Sequence, residues 1–264
     1  MQKLHFPKTL LLLLLASSSL IAQKLPLSNR VANYTIEVTL DTSSKSLIGK
    51  EKIIWTNTSS DVINELQLHL YLNAFRDKNS TFMKEKNGYK VSANKDSLDY
   101  GNIYITSFNS NRGENLFGKL NYIQPDDGNK DDRTVISVAL QKPLLPNQQI
   151  ELTLSFKAKL PKIIARTGYS RDFYLVGQWF PKMGVYEAAG VRNSKKGRWN
   201  CHQFHANTEF YADFGTYDVT MNVPKSFVVG ATGNFVSETV LKKDRKLVRY
   251  TAEDVHDFAW TASP

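Results

Sequence analysis

The sequence predicts an all-β fold, an antiparallel β-sandwich or saddle-like open barrel forming a single domain, and three observations predict it. Apolar and polar residues alternate with period two along much of the chain, the runs are parted at short spacing by Pro, Gly, Asn and Asp, and helical periodicity is nearly absent. Tyr34, Ile36, Val38 and Leu40 fall on one face and Thr35, Glu37 and Thr39 on the other, before the polar turn Asp41 to Lys45. Ile48 to Thr56 reads as a second strand, Leu66, Leu68, Leu70 and Leu72 as a third, and Ile150, Leu152, Leu154 and Phe156 as another. Tyr217, Val219 and Met221 alternate before Pro224, Phe227 to Gly230 leads into a Gly-containing turn, and Leu247 to Thr251 precedes a strand at Asp257 to Ala262. A short helical turn is expected around Asn73 to Lys84. Two stretches, 80–102 and 162–207, interrupt the rhythm as long loops whose aromatic residues suit folding over other elements.

At 264 residues the chain is long enough to bury an independent core. Residues 1–22 read as a secretory signal: Lys3 and Lys8 give a basic start, Leu10 to Leu15 an apolar centre, and Ala22 a small residue before a cut at Gln23. That leaves 23–264 as the mature domain. The apolar run is too short to span a bilayer, so no transmembrane segment is expected in the mature chain. Cys201 is the one cysteine, which excludes an intramolecular disulfide and, with the signal, suits a periplasmic or extracellular place in a bacterial envelope. The formal charge of +9 falls by two with the signal lysines and is scattered, which argues against nucleic acid as a partner. The densest basic run, Arg192 to Arg198, lies among Gly, Asn and Ser and reads as a solvated loop.

Three constellations could carry chemistry. Cys201, His202, His205 and Glu209 could form a metal site if helical, but the surrounding Asn200, Asn207 and Thr208 favour loop and strand. No metal site and no catalytic residue is therefore assigned to this chain. Glu253, Asp254, His256 and Asp257 bring carboxylates beside an imidazole, and they also read as a turn before a strand. Asp126 to Asp132 is oxygen-rich but lacks calcium-loop spacing, and a hairpin tip at Asp127-Gly128 accounts for it.

Four stretches carry a family resemblance: Gln178-Trp179-Phe180-Pro181-Lys182, Glu209 to Val219, Val229-Gly230-Ala231-Thr232-Gly233, and His256 to Ala262. On these residues the chain resembles the N-terminal β-domain of the aminopeptidase N family of zinc metallopeptidases, in a divergent bacterial branch. The resemblance implies a domain that caps the cleft of a zinc-bearing catalytic domain and helps hold the free α-amine of a peptide substrate. The family's H-E-x-x-H and G-x-M-E-N motifs are absent from the sequence, so the chain is expected to be inactive alone, with zinc belonging to a separate catalytic domain. Ending at Thr261-Ala262-Ser263-Pro264 after a strand, it reads as cut at a domain junction. If the match runs through T-Q of the family pattern, Gln178 is the amine-binding residue; if it runs through F-P, only Phe180 and Pro181 correspond. An amide oxygen and a carboxylate suit an ammonium, so Gln178 and Glu209 are the expected substrate-binding pair, bordered by Trp179, Phe180 and Tyr211 on an uncovered face. Two other readings stand beside this one: a stand-alone secreted β-sandwich binding peptides or proteins at an exposed edge, and a small metal-dependent hydrolase using His202, His205 and Glu209.

Overall fold

The computed structural model describes residues 25–85 and 99–264. The secretory signal expected at 1–22 lies outside these residues, as does much of the loop expected at 80–102. Apolar alternation becomes a broad open sheet, built from β1 (Ala32–Asp41), β2 (Ser46–Thr56), β4 (Asn102–Ser110), β7 (Gln149–Lys159), β13 (Gly215–Pro224), β15 (Asn234–Val240) and β16 (Arg245–Val255) in the order β15-β16-β13-β1-β2-β7-β4. All neighbours in it are antiparallel except β1 and β13, which run parallel with Tyr34 opposite Tyr217. Among the described residues the sheet does not close, and β15 and β4 are its edges.

Two four-stranded sheets cover its apolar face. One has the order β10 (Lys182–Met183), β3 (Ile63–His69), β6 (Val135–Leu144) and β5 (Leu120–Ile123). The other has the order β14 (Val228–Ala231), β17 (Trp260–Ser263), β9 (Phe173–Val176) and β8 (Gly168–Ser170). A small hairpin pairs β11 (Val185–Glu187) with β12 (Arg198–Asn200). One continuous core runs between the sheets, with Trp55, Trp179 and Trp260 fully enclosed. The expected all-β fold therefore holds, and among the described residues helix is confined to short turns: α1 (Thr81–Glu85), a 3-10 turn at Tyr71–Phe75, and single 3-10 turns at Phe117–Lys119 and Val191–Asn193. No helix among the described residues is long and apolar enough to cross a membrane.

Three local expectations change. The strand expected through Leu72 ends at His69, because the chain turns into the 3-10 segment while Leu70 and Leu72 stay buried. The stretch 162–207 is not one loop but five short strands, β8 to β12, whose pairing is interrupted every few residues. Trp179 and Phe180, expected on an uncovered face, are 0% and 1% exposed. They pack on Trp260, Phe156, Tyr34 and Tyr217 and join the third sheet to the large one.

Gly215 opens β13 where it meets β1, and a Cβ there would lie 1.6 Å from the Ala32 carbonyl oxygen. A backbone atom in a ladder cannot swing aside. Gly215→Ala should therefore destabilise the protein by about 1–3 kcal/mol, as overpacking does, read as a lowered urea midpoint. An unchanged midpoint would show that this contact is not rigid.

Candidate functional site

The turn between β9 and β10 places Gln178 with φ of +54°, a conformation uncommon for a residue with a side chain. Its side chain is tied at both ends. The amide nitrogen donates to Asp257, and the amide oxygen accepts from Lys182 Nζ at 2.9 Å. Lys182 is 1% exposed, lies 2.7 Å from Asp257 Oδ1, and sits over the rings of Phe180 and Tyr71. Burial lowers the lysine's affinity for its proton, and Asp257 opposes that effect. Asp257 also accepts the Phe258 N–H at 2.8 Å, fixing the entry to β17.

Glu51, on the core face of β2, completes the group. Neither carboxyl oxygen has a hydrogen-bond partner among the described residues, and burial raises its pKa well above the ordinary range despite the opposing charge of Lys182. Tyr34, stacked on Tyr217, accepts the Met183 N–H at 3.1 Å beside this cluster. Asp213 is mostly buried, which pushes its carboxyl up to about 6.

The sequence-predicted site residues separate. Gln178 does meet an ammonium and a carboxylate, but they are those of Lys182 and Asp257 within the chain. Glu209 lies on the surface, bonded through both oxygens to Arg166 at 2.7 and 2.9 Å, which holds its carboxyl below the usual range. Tyr211 is partly buried and donates to Glu187 at 3.1 Å. Cys201 points inward, its sulfur 3.5 and 3.6 Å from the ring nitrogens of His69. Burial raises this thiol well above its ordinary pKa and, with the nearby lysine charge, lowers His69 to about 3, so both are neutral. His202 and His205 share Asp126 instead of turning to Glu209. The segment 201–214 has no helix to bring the four side chains to one face. Among the described residues no group of three or more His, Cys, Asp and Glu is arranged to hold a metal ion.

The other constellations have structural uses. Glu253 and Asp254 take Arg30, and His256 packs edge-on to Phe214. The Asp-rich turn does join the hairpin β5–β6, with Gly128 at φ of +68°. Its Asp132 is 0% exposed and receives the backbone N–H groups of Thr81 and Thr134. In the basic loop, Arg192 and Arg198 lie 3.5 and 3.7 Å from buried Glu187 while Lys195 and Lys196 stay exposed.

Sequence reading passed over Gln203, which organises the surface near Glu209. It is 1% exposed; its amide oxygen accepts the Asp126 N–H, and its amide nitrogen donates to Thr81 and Asp127. Next to it, His205 faces Glu85 at 2.7 Å through one ring nitrogen and Asp126 at 3.1 Å through the other. A neutral imidazole has one N–H, so two carboxylate partners require the imidazolium.

Two pH effects follow. For His205, burial pulls the pKa down, but the bonds to Glu85 and Asp126 prevail and raise it. Its stabilisation is complete below the unfolded value of about 6.5 and is lost as pH rises through the raised folded value. NMR titration of the ring should show that raised value, and His205→Gln should cost stability at pH 5 more than at pH 9. The opposite ordering would contradict the clasp. For Glu51, the fold favours the protonated form, so its contribution is greatest below the unfolded value of about 4.3 and declines as pH rises towards the raised folded value. Urea unfolding should show Glu51→Gln gaining on the native chain by on the order of 1 kcal/mol or more between pH 5 and 8. A constant difference would show that Glu51 does not titrate differently on folding.

No protein-family model matches the sequence, and no curated protein matches it. The fold has counterparts among solved structures. An M1 zinc metallopeptidase from Deinococcus radiodurans, in a point-mutant form, superposes with a TM-score of 0.50 and 15% identity over 90% of this chain and 43% of its own. The same peptidase without the mutation gives 0.50 and 14% over the same shares. The chain thus spans less than half the length of these structures, and at this identity the likeness is one of fold. The resemblance to aminopeptidase N-type zinc peptidases read from four short sequence stretches is matched by a shared all-β architecture over nine tenths of the chain.

Proposed function

We propose that this chain is the N-terminal, substrate-capping domain of an exported zinc aminopeptidase-like metallopeptidase and is not catalytic by itself. The observation that carries the reading is the one-sided coverage, 90% of this chain against 43% of the peptidase it resembles in fold. In this reading the signal at 1–22 directs export to the periplasm or beyond. Zinc and the water-activating glutamate belong to a catalytic domain that meets the peptide's scissile bond. The described residues do not fit a zinc ion, so this chain's contribution is to shape the cleft and orient the substrate.

Within that role, Glu209 is the residue best placed to take a substrate ammonium. Its guanidinium partner is itself exposed, and such surface pairs contribute only about 0–1 kcal/mol, so the exchange is cheap. Gln178 reaches an ammonium from outside only if Lys182 yields its place. The stand-alone binding module is the second reading, favoured by β15, an edge strand exposed at every residue with Phe235, Val236 and Val240 open to solvent.

Two measurements test the proposal. Purified chain with added zinc should leave aminoacyl arylamides intact; chelator-sensitive turnover that tracks the protein through purification would overturn the non-catalytic assignment. Reading the coding DNA beyond Pro264 should reveal H-E-x-x-H in frame, and a stop codon without it would favour the second reading.

A further inference from the structure

The Lys182 amine lies between an amide and a carboxylate of its own chain, with Nζ 2.9 Å from Gln178 Oε1 and 2.7 Å from Asp257 Oδ1. The Asp257 carboxyl is held from two sides by N–H groups: that of Phe258 on Oδ1 at 2.8 Å, and the Gln178 amide nitrogen on Oδ2. Rings enclose the amine, those of Phe180 and Tyr71 centred 5.4 and 5.9 Å from Nζ. On the core face of β2, the charges of Glu51 and Lys182 act on each other. Those of Glu51 and Asp257 both act on Tyr34, whose hydroxyl accepts the N–H of Met183 next to the lysine. Glu51 is 2% exposed, and neither of its carboxyl oxygens has a partner among the described residues. An ion pair between Lys182 and Asp257 gives no reason for that acid, since a buried carboxyl without partners costs free energy.

We propose that Lys182 and Asp257 join in an intramolecular isopeptide bond, formed by the folded chain itself with release of water. Each neighbour has a part. Across the 2.7 Å contact a proton passes from the ammonium to the carboxylate, giving an amine and a carboxylic acid. The Gln178 amide oxygen orients the amine, while its nitrogen and the Phe258 N–H stabilise the oxyanion that forms on Asp257. The Nζ lone pair attacks Cγ and the Nζ–Cγ bond forms. The neutral Glu51 carboxyl gives its proton to the departing oxygen and takes one from Nζ, so it ends as it began while the Cγ–O bond breaks and water leaves. Of the three ammonium hydrogens, one stays on the amide and two leave in the water; nothing is oxidised or reduced. Two effects favour the product. Contact between amine and acid in a walled site raises their effective concentration. A neutral amide also removes the enclosed ammonium together with its counter-charge. The bond ties β10 of the second sheet to the entry of β17 in the third, in a chain whose single cysteine allows no internal disulfide.

Mass spectrometry of the purified full chain tests this. Its mass should be lower by one water than the polypeptide requires, and protease digestion should yield a branched peptide in which Lys182 and Asp257 are joined through their side chains. Lys182→Met and Asp257→Ala should abolish both signals. Asp257→Asn should keep the branched peptide while the missing mass becomes that of ammonia, because a side-chain amide loses ammonia where a carboxyl loses water. Followed in time after cell-free synthesis, Glu51→Gln should form the bond about a hundred-fold more slowly, the scale of one general acid–base group. A native chain with no water missing would overturn the proposal, whatever the variants do. So would a water loss confined to one linear peptide, as from a cyclised aspartyl backbone, or a branch joining Lys182 to Gln178. An unchanged rate in Glu51→Gln would overturn the part given to that acid.

Discussion

The buried ammonium of Lys182 is the constraint around which the three sheets are arranged. Lys182 comes from the second sheet, Asp257 leads into the third, Gln178 follows the third sheet's β9, and Glu51 belongs to the large sheet. Enclosing a charge costs several kcal/mol unless it is paired and hydrogen-bonded, so the sheets must meet where Asp257 and Gln178 can both reach it. Gln178's left-handed backbone is intelligible in these terms: it aims an amide whose oxygen and nitrogen serve a cation and a carboxylate at once. Glu51 contributes differently, as a largely neutral acid that adds no second charge to the interior.

How much of the fold could be read in the sequence depended on whether a strand has one wet face. β1, β2, β7 and β13 alternate because one side meets the core and the other meets water, and each was legible from its apolar period. β15 was not, since all of its residues are exposed and no face sorts apolar from polar. The short strands β8 to β12 were hidden because two or three paired residues cannot establish a period. The parallel pairing of β1 with β13 joins distant parts of the chain and leaves no local mark.

The candidate site was legible only as a chemical capacity, since an amide can face an ammonium and a carboxylate at once. The sequence reading expected a substrate ammonium with Glu209 as the carboxylate, whereas the groups that Gln178 meets are those of Lys182 and Asp257. The tertiary contacts of Gln-Trp-Phe-Pro-Lys supply them: the aromatic pair enters the core and carries the lysine in with it. The His, Cys and Glu of 201–209 fail to converge for the same kind of reason, since an irregular segment sends neighbouring side chains towards whatever surrounds them. Gln203 left no signal because a buried glutamine in a loop has no composition or period to mark it.

The parallel contact between β1 and β13 governs the order in which the protein can be completed. As the chain emerges from the ribosome, β1, β2, β4 and β7 can assemble, but β1 stays an open edge, with one side of its ladder unpaired, until residue 215 and beyond arrive. Tyr34, Ile36 and Val38 meanwhile lack the cover that Tyr217, Val219 and Met221 later provide beside them. Long-range pairing of this kind slows folding and prolongs exposure of a sticky edge. Translation halted before Gly215 would therefore release a sheet ready to join another copy of itself, so the segment 215–264 acts as an intramolecular chaperone for the strands that precede it.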